Sequence, residues 1–221
     1  MYQTNIGFAT PTVKIEAARV VLDGYLSIPH NSKGIVIFSR CGEGGRQSPG
    51  NQFTAQELNN AGIATLLFDL LTPKETLANI ITGAFMFNVS LLARRLIAAT
   101  EWVKRRPNTR NLNVGYLGFS TGSAMALIAA SIIPESVKAV VSRGGRTDFA
   151  LEALPAVQAP TLLIAGGNDP TVLEINKRAY KELKAVKDII VLSGASHLDE
   201  EPSLLQKVAR LAAHWFGKYL A

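Results

Sequence analysis

The sequence predicts an α/β fold of three layers, in which helices cover both faces of a mainly parallel, twisted sheet. From residue 64 onward, short apolar runs alternate with longer amphipathic stretches, the pattern of strands joined by crossover helices. The run at 64–71 is almost wholly apolar, as a strand covered on both faces requires. The chain has 221 residues, of which 48% are hydrophobic, so we expect a single domain over residues 1–221.

The first third of the chain is predicted to be rich in strands. Alternating or compact apolar residues indicate three strands, at 12–17, 19–29 and 34–39. A glycine-rich loop follows at 41–49, and a helix-like stretch at 52–60 ends before Gly62. The segment 72–88 is less regular, and its Phe85, Met86 and Phe87 either shape a pocket or belong to the core.

Beyond residue 88 the alternation is regular. Leu92, Leu96, Ala99 and Val103 recur at helical spacing and predict a helix that ends near residue 106. Strands are then predicted at 113–119, 137–142, 161–165 and 188–192. Helices are predicted at 121–133, 171–184 and from 202 onward, with a helix or loop between 143 and 154.

Charge and cysteine content narrow the class of protein. The formal net charge is +6, but the densest basic run, Lys104 to Arg106, lies just before Pro107, where cations favour the negative end of a helix dipole. We therefore expect no nucleic-acid partner. Cys41 is the single cysteine, and we find neither a signal-peptide pattern nor an apolar stretch that would span a bilayer. We expect a cytoplasmic protein without a membrane partner.

Gly118-Phe119-Ser120-Thr121-Gly122 lies between a predicted strand and a predicted helix. A sharp turn at this junction exposes a serine hydroxyl, as a nucleophile requires, and the flanking glycines avoid collisions with the strained backbone. The motif alone is weak, because a plain strand–helix turn can carry it. Its position in the predicted fold makes Ser120 the candidate nucleophile.

A serine nucleophile needs a base, and the base needs an orienting acid. His197 follows the last predicted strand and is the candidate base. Asp169 follows the preceding strand and is the candidate acid, so the order serine, acid, histidine is kept. Asp169 could instead cap the helix that begins near Pro170, and Asp148 is the rival acid.

The same rim carries candidate oxyanion and substrate-binding groups. Thr121 would donate one backbone N–H to an oxyanion, and Cys41 or Gly42 would donate a second. Cys41 is otherwise a small loop residue rather than a reactive thiol. Four arginines follow strands at this rim and are candidates for binding an anionic substrate: Arg40, Arg46, Arg143 and Arg146. The alternative is that they pair with nearby acids such as Glu43 or Asp148.

The sequence does not match the motifs that bind dinucleotides, phosphate or metal ions. The glycines at 42, 44 and 45 begin like a dinucleotide-binding loop, but Gln47 stands where the third glycine is needed. The sequence has no phosphate-binding GxxxxGK[ST] loop and no His, Cys and carboxylate cluster with metal-ligand spacing. We predict neither a cofactor nor a metal.

Four segments carry a family resemblance that spans nearly the whole chain: GFSTG (118–122), APTLLIAGGNDP (159–170), GASHLDEEP (194–202) and SRCGEGGRQSP (39–49). With these motifs the chain resembles the α/β-hydrolase superfamily, and within it the dienelactone hydrolase-like family. The loop at 39–49 and SRGGRTD (142–148) look like a subgroup related to domains joined to phosphoribosyltransferases. The resemblance implies a three-layer α/β-hydrolase fold, a triad of Ser120, Asp169 and His197, and an oxyanion hole at Thr121 and Cys41 or Gly42. The namesake enzymes use a cysteine nucleophile on a cyclic lactone acid, so serine at position 120 weakens a transfer of that substrate.

The function predicted from these residues is a cofactor-free serine hydrolase that cleaves a small carboxylic ester or lactone through an acyl-enzyme. A thioesterase or a small peptidase would use the same triad. A non-catalytic binding module on the same fold is the alternative from another class of protein. The sequence leaves the oligomeric state open.

Overall fold

An eight-stranded sheet forms the centre of the molecule. The computed structural model describes residues 11–17, 19–40, 45–196 and 201–221. The strands are β1 (Thr12–Ala17), β2 (Val20–Ser27), β3 (Gly34–Ser39), β4 (Ala64–Phe68), β5 (Asn113–Phe119), β6 (Val137–Arg143), β7 (Thr161–Gly166) and β8 (Lys187–Leu192). They lie in the order β1-β2-β4-β3-β5-β6-β7-β8. β2 is antiparallel to β1 and to β4, and the other neighbouring strands are parallel. The mainly parallel sheet is confirmed, with an antiparallel hairpin at one edge.

Helices cover both faces of this sheet. The described residues form α1 (Pro49–Asn60), α2 (Pro73–Thr82), α3 (Val89–Arg105), α4 (Thr121–Ile132), α5 (Pro170–Glu182) and α6 (Pro202–Tyr219). Apolar side chains of α3, α4 and α5 share one buried cluster with the sheet. Side chains of α1 and α6 share a second cluster with other strand residues. Because successive strand residues face opposite sides, the two clusters make the three layers that the sequence predicts.

The segment 72–88 is more regular than its sequence pattern suggests. Thr72 and Glu75 form a reciprocal capping box that begins α2, and Gly83 ends the helix in the left-handed conformation with φ of 65°. None of the side chains of α2 is buried. Its apolar residues Leu77, Ile80 and Ile81 recur at helical spacing, but they face solvent and not the core. Between β6 and β7 the chain forms two short 3-10 helices, Thr147–Ala150 and Leu154–Ala156.

A buried ion pair fastens α2 to α3. The Arg95 side chain is 6% exposed. Its guanidinium donates to both carboxylate oxygens of Glu75, with N···O distances of 2.6 and 2.8 Å, and to the Leu70 carbonyl at 2.7 Å. The hydrogen bonds from Arg95, and further ones from Thr72, lower the pKa of Glu75 to about 2 from its ordinary value of 4.5. Glu75 therefore holds both the start of α2 and the buried cation.

The basic run lies where the helix dipole favours it. Lys104 and Arg105 occupy the last turn of α3, and the Arg106 guanidinium lies 4.4 Å from the centre of the Trp102 ring.

None of the helices in the described ranges is both long enough and apolar enough to cross a bilayer.

Replacing Glu75 by Gln is expected to lower the free energy of unfolding at pH 7 by about 3 kcal/mol, because it leaves the Arg95 cation buried without its counter-charge. The difference between wild type and variant should be full above pH 4.5 and should shrink as the pH falls towards 2, because protonation of Glu75 then removes the same interaction. Urea unfolding at several pH values measures it. Glu174, whose exposed carboxylate lies 3.7 Å from Lys177, is the matched control. Glu174→Gln should change stability by less than about 0.5 kcal/mol, and an equal loss in both variants would contradict the account.

Candidate active site

The carboxyl ends of five parallel strands meet at one edge of the sheet. Ser39 at the end of β3 is opposite Gly118 in β5, and Phe119 is opposite Arg143 at the end of β6. In the same way Gly166 at the end of β7 is opposite Leu192 in β8. The segments after these strands therefore leave the sheet side by side. In parallel α/β sheets this edge is where ligands bind.

Ser120 stands at the turn between β5 and α4 in a strained conformation. Its φ of 49° and ψ of −122° lie in a region that non-glycine residues rarely adopt, at a cost of about 1–3 kcal/mol. Its N–H donates to the Arg143 carbonyl at 3.2 Å, and its own carbonyl accepts from the N–H groups of Ser123 at 3.1 Å and Arg146 at 3.0 Å. Its side chain does not cap α4. Three backbone hydrogen bonds thus hold the strained residue in place.

The two glycines of the motif are required by space. A Cβ on Gly122 would lie 1.9 Å from the Ser39 carbonyl oxygen. A Cβ on Gly118 would lie 2.5 Å from the Ser123 Cα and 2.8 Å from the Gly122 carbonyl oxygen. Because all of these contacts are to backbone atoms, no side-chain movement could relieve them. The role that the sequence analysis gave these glycines matches their surroundings.

Thr121 is the first residue of α4, and 4% of it is exposed. Its N–H belongs to the first turn of a helix, where N–H groups have no acceptor within the helix. The positive end of the helix dipole lies at the same place. Cys41 and Gly42, the other candidate oxyanion donors, lie outside the described residues.

Asp169 begins α5 and caps it. One carboxylate oxygen accepts from the Val172 N–H at 3.0 Å, so the capping role that the sequence left open is present. The side chain is only partly buried. Its place at the carboxyl end of β7 also keeps it at the same edge of the sheet as Ser120.

The loop that carries Asp169 contacts the segment leading to position 197. The N–H of Asn168 donates to the Ala195 carbonyl, and its side-chain amide donates to the Gly194 carbonyl, both at 2.9 Å. A Cβ on Gly166 would lie 2.8 Å from the Ser196 carbonyl oxygen. Ser196, the last described residue before position 197, therefore lies beside this loop. His197 itself lies outside the described residues.

A small cavity of about 20 Å³ lies at this corner. Arg143, Gly166 and Ser196 are among its lining residues. Arg143 is also the residue whose carbonyl accepts from the Ser120 N–H. Ser196, the last described residue before His197, and Arg143, which contacts Ser120, thus line the same small cavity.

Arg46 and Arg146 each pair with an acid of the described chain. Arg46 pairs with Asp69 through its guanidinium, and its N–H donates to Asp69 at 3.0 Å. Arg146 donates to both oxygens of Asp148, at 2.9 and 2.7 Å, which raises the pKa of the Arg146 guanidinium. These pairs are the alternative that the sequence analysis kept open. They also engage Asp148, the rival acid.

Arg40 and Arg143 both lie close to one aromatic ring. Their guanidinium carbons are 5.8 and 5.9 Å from the centre of the Phe119 ring, and Phe119 directly precedes Ser120. Arg143 is 5% exposed, and Arg40 also donates to the Asn51 side chain at 3.3 Å. Both guanidinium groups therefore lie close to the ring of the residue that precedes the candidate nucleophile.

Sequence reasoning missed Asn176. This fully buried side chain of α5 donates to the Gly145 carbonyl at 2.9 Å and to the Val172 carbonyl at 2.8 Å. Gly145 is packed so closely that a Cβ would lie 2.2 Å from the Ser142 hydroxyl. Asn176 thereby holds the loop whose next residue, Arg146, donates to the Ser120 carbonyl. A polar residue on the buried face of an amphipathic helix was the available signal.

A larger cavity of about 550 Å³ lies elsewhere, between α1 and the strands β2 and β4. Tyr25, Gln52, Asn59 and Thr65 are among its lining residues. It is lined by none of the candidate site residues that the structure describes. The candidate site therefore rests on the geometry at the sheet edge and not on cavity size.

The fold and this edge define an α/β hydrolase. The model of the dienelactone hydrolase family matches residues 22–203, and the chain belongs to this family. The crystal structure of a dienelactone hydrolase from Anabaena variabilis is 47% identical, with a TM-score of 0.93 over 96% of this chain and 98% of that one. Est1E from Butyrivibrio proteoclasticus is 14% identical, with a TM-score of 0.72 over 93% of this chain and 99% of that one, and shows the fold alone.

A curated relative from Mycobacterium tuberculosis (strain H37Rv) carries a provisional phosphoribosyl transferase name. It is 46% identical over 208 residues, which are 94% of this chain and 46% of the relative. The chain thus spans about half the length of the curated relatives it matches.

Replacing Gly122 by Ala is expected to lower the free energy of unfolding by about 3 kcal/mol or more, because the new methyl group would displace the backbone of β3 or of α4. Gly217→Ala is the matched control, since a Cβ there meets no atom of the described chain within 4 Å and the residue lies in α6. The control should be neutral or stabilising by about 0.5–1 kcal/mol. Thermal and urea unfolding of both variants measure the difference, and a Gly122→Ala protein as stable as wild type would be the contrary result.

Proposed function

We propose that the protein is a serine hydrolase that cleaves a small carboxylic ester or lactone through an acyl-enzyme. The observation that carries the proposal is the turn at Ser120, whose backbone is strained, held by three hydrogen bonds and closed in by two glycines. A binding surface has no need of such a conformation, whereas a nucleophile at the start of a helix does. Membership of the dienelactone hydrolase family supports the same chemistry.

In the proposed mechanism, the Ser120 hydroxyl attacks the carbonyl carbon of the ester and gives its proton to the His197 imidazole. The Asp169 carboxylate orients the imidazole and stabilises its protonated form. The developing oxyanion accepts hydrogen bonds from the backbone N–H of Thr121, at the positive end of α4, and from the backbone N–H of Cys41 or Gly42. His197 then protonates the leaving alcohol and the C–O bond breaks. Water, deprotonated by His197, attacks the acyl-enzyme and releases the acid with Ser120 restored.

Variants of the proposed triad test the mechanism. Ser120→Ala and His197→Ala are expected to lower kcat for ethyl and p-nitrophenyl esters by roughly 10⁴-fold or more, because attack by the serine is lost. Asp169→Asn is the sharper variant. Asn caps a helix as well as Asp does, so α5 should keep its start while the negative charge is removed, and kcat should fall roughly 10³-fold or more.

Asp148→Asn is the control for Asp169→Asn, because it removes the rival carboxylate and should lower kcat less than tenfold. A Ser120→Ala protein with wild-type kcat would exclude the mechanism. A larger loss in Asp148→Asn than in Asp169→Asn would transfer the role of the acid to Asp148. Thioesters and short peptides tested alongside the esters decide between an esterase, a thioesterase and a peptidase. A protein inactive on all of them would favour the non-catalytic binding module.

We propose further that Arg40 and Arg143 favour an ester with a second, anionic group. The two guanidinium groups lie 5.8 and 5.9 Å from the centre of the Phe119 ring, which precedes Ser120. A guanidinium binds a carboxylate through parallel hydrogen bonds. Asp69 engages Arg46, and Asp148 engages Arg146. Their role at the rim is therefore proposed to be structural.

Arg40→Ala and Arg143→Ala should each lower the preference for monoethyl succinate over ethyl butyrate, measured as a ratio of kcat/KM, by about tenfold. Arg94→Ala is the control, because it removes one exposed positive charge from α3 and should leave the ratio unchanged. If the ratio is the same in all three variants and in wild type, selection of an anionic substrate by these residues is wrong.

A further inference from the structure

We propose that Phe87 and Phe149 form the contact surface for an aryl group of the ester that Ser120 cleaves. The inference rests on the proposed function and names its substrate class. It assigns a specificity role to two side chains, one of which is not among the residues that the sequence analysis singled out.

The two rings form an exposed pair. Their centres are 6.1 Å apart, and their planes are inclined by 51°. Phe87 is 53% exposed and Phe149 is 38% exposed, whereas Phe85 is partly buried against the core. Two phenyl rings that meet each other and still face solvent offer an apolar surface on which a third ring can pack.

Phe149 is connected to the nucleophile by backbone hydrogen bonds. It lies in the 3-10 helix Thr147–Ala150, and its N–H donates to the Arg146 carbonyl at 3.3 Å. The Arg146 N–H in turn donates to the Ser120 carbonyl at 3.0 Å. Thr147 and Ala150 are buried, so the short helix is fixed against the body of the protein. Phe149 therefore lies three residues along the chain from Arg146, which contacts Ser120 directly.

A cation covers part of the Phe149 ring and restricts its rotation. The Arg146 guanidinium carbon lies 4.6 Å from the ring centre, and Asp148 holds that guanidinium through two hydrogen bonds. The ion pair with Asp148 thus allows Arg146 to hold the Phe149 side chain at the rim.

The segment that carries Phe87 is also ordered before any substrate binds. The Asn79 side-chain oxygen accepts from the N–H groups of Phe85 at 3.0 Å and Met86 at 2.9 Å. Asn88 caps α3 through the Leu91 N–H at 3.1 Å, and the Phe87 carbonyl accepts from the Val89 N–H at 2.9 Å. The chain around Phe87 is therefore fixed on both sides, and little conformational entropy is lost when a ligand packs on the ring.

The chemistry of this surface selects an aryl group. Neither ring offers a hydrogen bond, so a polar group placed on them would lose its hydration without compensation. A flat ring gains edge-to-face or offset contacts with both phenyl groups. The proposed substrate is accordingly an ester whose acyl or alcohol part carries an aryl ring.

The experiment compares four alkyl esters by proton release, so that no activated phenol leaving group obscures the result. Ethyl acetate carries no ring, ethyl 3-phenylpropanoate carries one on the acyl side, and 2-phenylethyl acetate carries one on the alcohol side. Ethyl 3-cyclohexylpropanoate has a saturated ring of similar size. We expect Phe87→Ala and Phe149→Ala each to lower the ratio of kcat/KM for one of the two aryl esters to that for ethyl acetate by about tenfold. The ratio for the cyclohexyl ester should fall less.

Two further variants keep the test interpretable. Asn79→Ala leaves both rings in the sequence but loosens the segment of Phe87, and it should lower the same ratio. Ile132→Ala is the matched control: Ile132 is 58% exposed but ends α4, about 16 Å along the helix from Thr121, and the ratio should stay at its wild-type value. Unchanged ratios in both Phe variants, or equal losses on all four esters, would overturn the inference. Wild type inactive on all four esters, or Ser120→Ala fully active, would instead overturn the proposed function.

Discussion

The closest approach at the site is between the backbone of α4 and the end of β3. Gly122 lies so near the Ser39 carbonyl that a single methyl group could not fit between them. The helix can begin this close to the sheet only if the chain turns sharply as it leaves β5, and Ser120 takes the strained conformation that makes this turn. The position of the hydroxyl, the start of the helix and the direction of its dipole all follow from that contact.

The surrounding structure compensates for the strain. The last residue of β6 accepts from the Ser120 N–H, and the loop after β6 donates to the Ser120 carbonyl. Asn176 of α5 donates to the same loop at Gly145. α5 begins at Asp169, so a single helix carries the candidate acid at its start and supports the nucleophile from its interior. α4 is rich in buried alanines, including Ala124, Ala126 and Ala129, and their small side chains allow the helix to pack closely within the core. The strained conformation of Ser120 is thus stabilised by hydrogen bonds from the end of β6 and the loop after it, and by the packing of α4 and α5.

Much of this fold was predictable because its signals are local. Continuous apolar runs identify the central strands, and the spacing of Gly118, Ser120 and Gly122 identifies the turn. α2 was not predicted as a helix, although Leu77, Ile80 and Ile81 recur at helical spacing, because the pattern covers a single turn and none of these side chains is buried. Its start was nevertheless readable, since Thr72 and Glu75 have the spacing of a capping box.

The partners of the arginines could not be predicted in the same way. Arg46 meets Asp69, which is distant in sequence, and only the pairing of the strands brings them together. Arg146 and Asp148 are nearly adjacent, but the sequence could not decide between an ion pair and two residues facing a substrate. The contact between Phe87 and Phe149 likewise depends on how the segments after β4 and β6 lie at the rim. Contacts of this kind are set by tertiary structure, not by spacing.

The central claim is that Ser120 is a nucleophile, and covalent capture tests it most directly. The protein is treated with a fluorophosphonate, and the modified residue is located by peptide mapping. The account predicts one adduct, on Ser120, that is absent from Ser120→Ala and present in a Ser123→Ala control, because Ser123 is fully buried one turn further along α4. An unmodified wild-type protein, or an adduct that persists in Ser120→Ala, would contradict it.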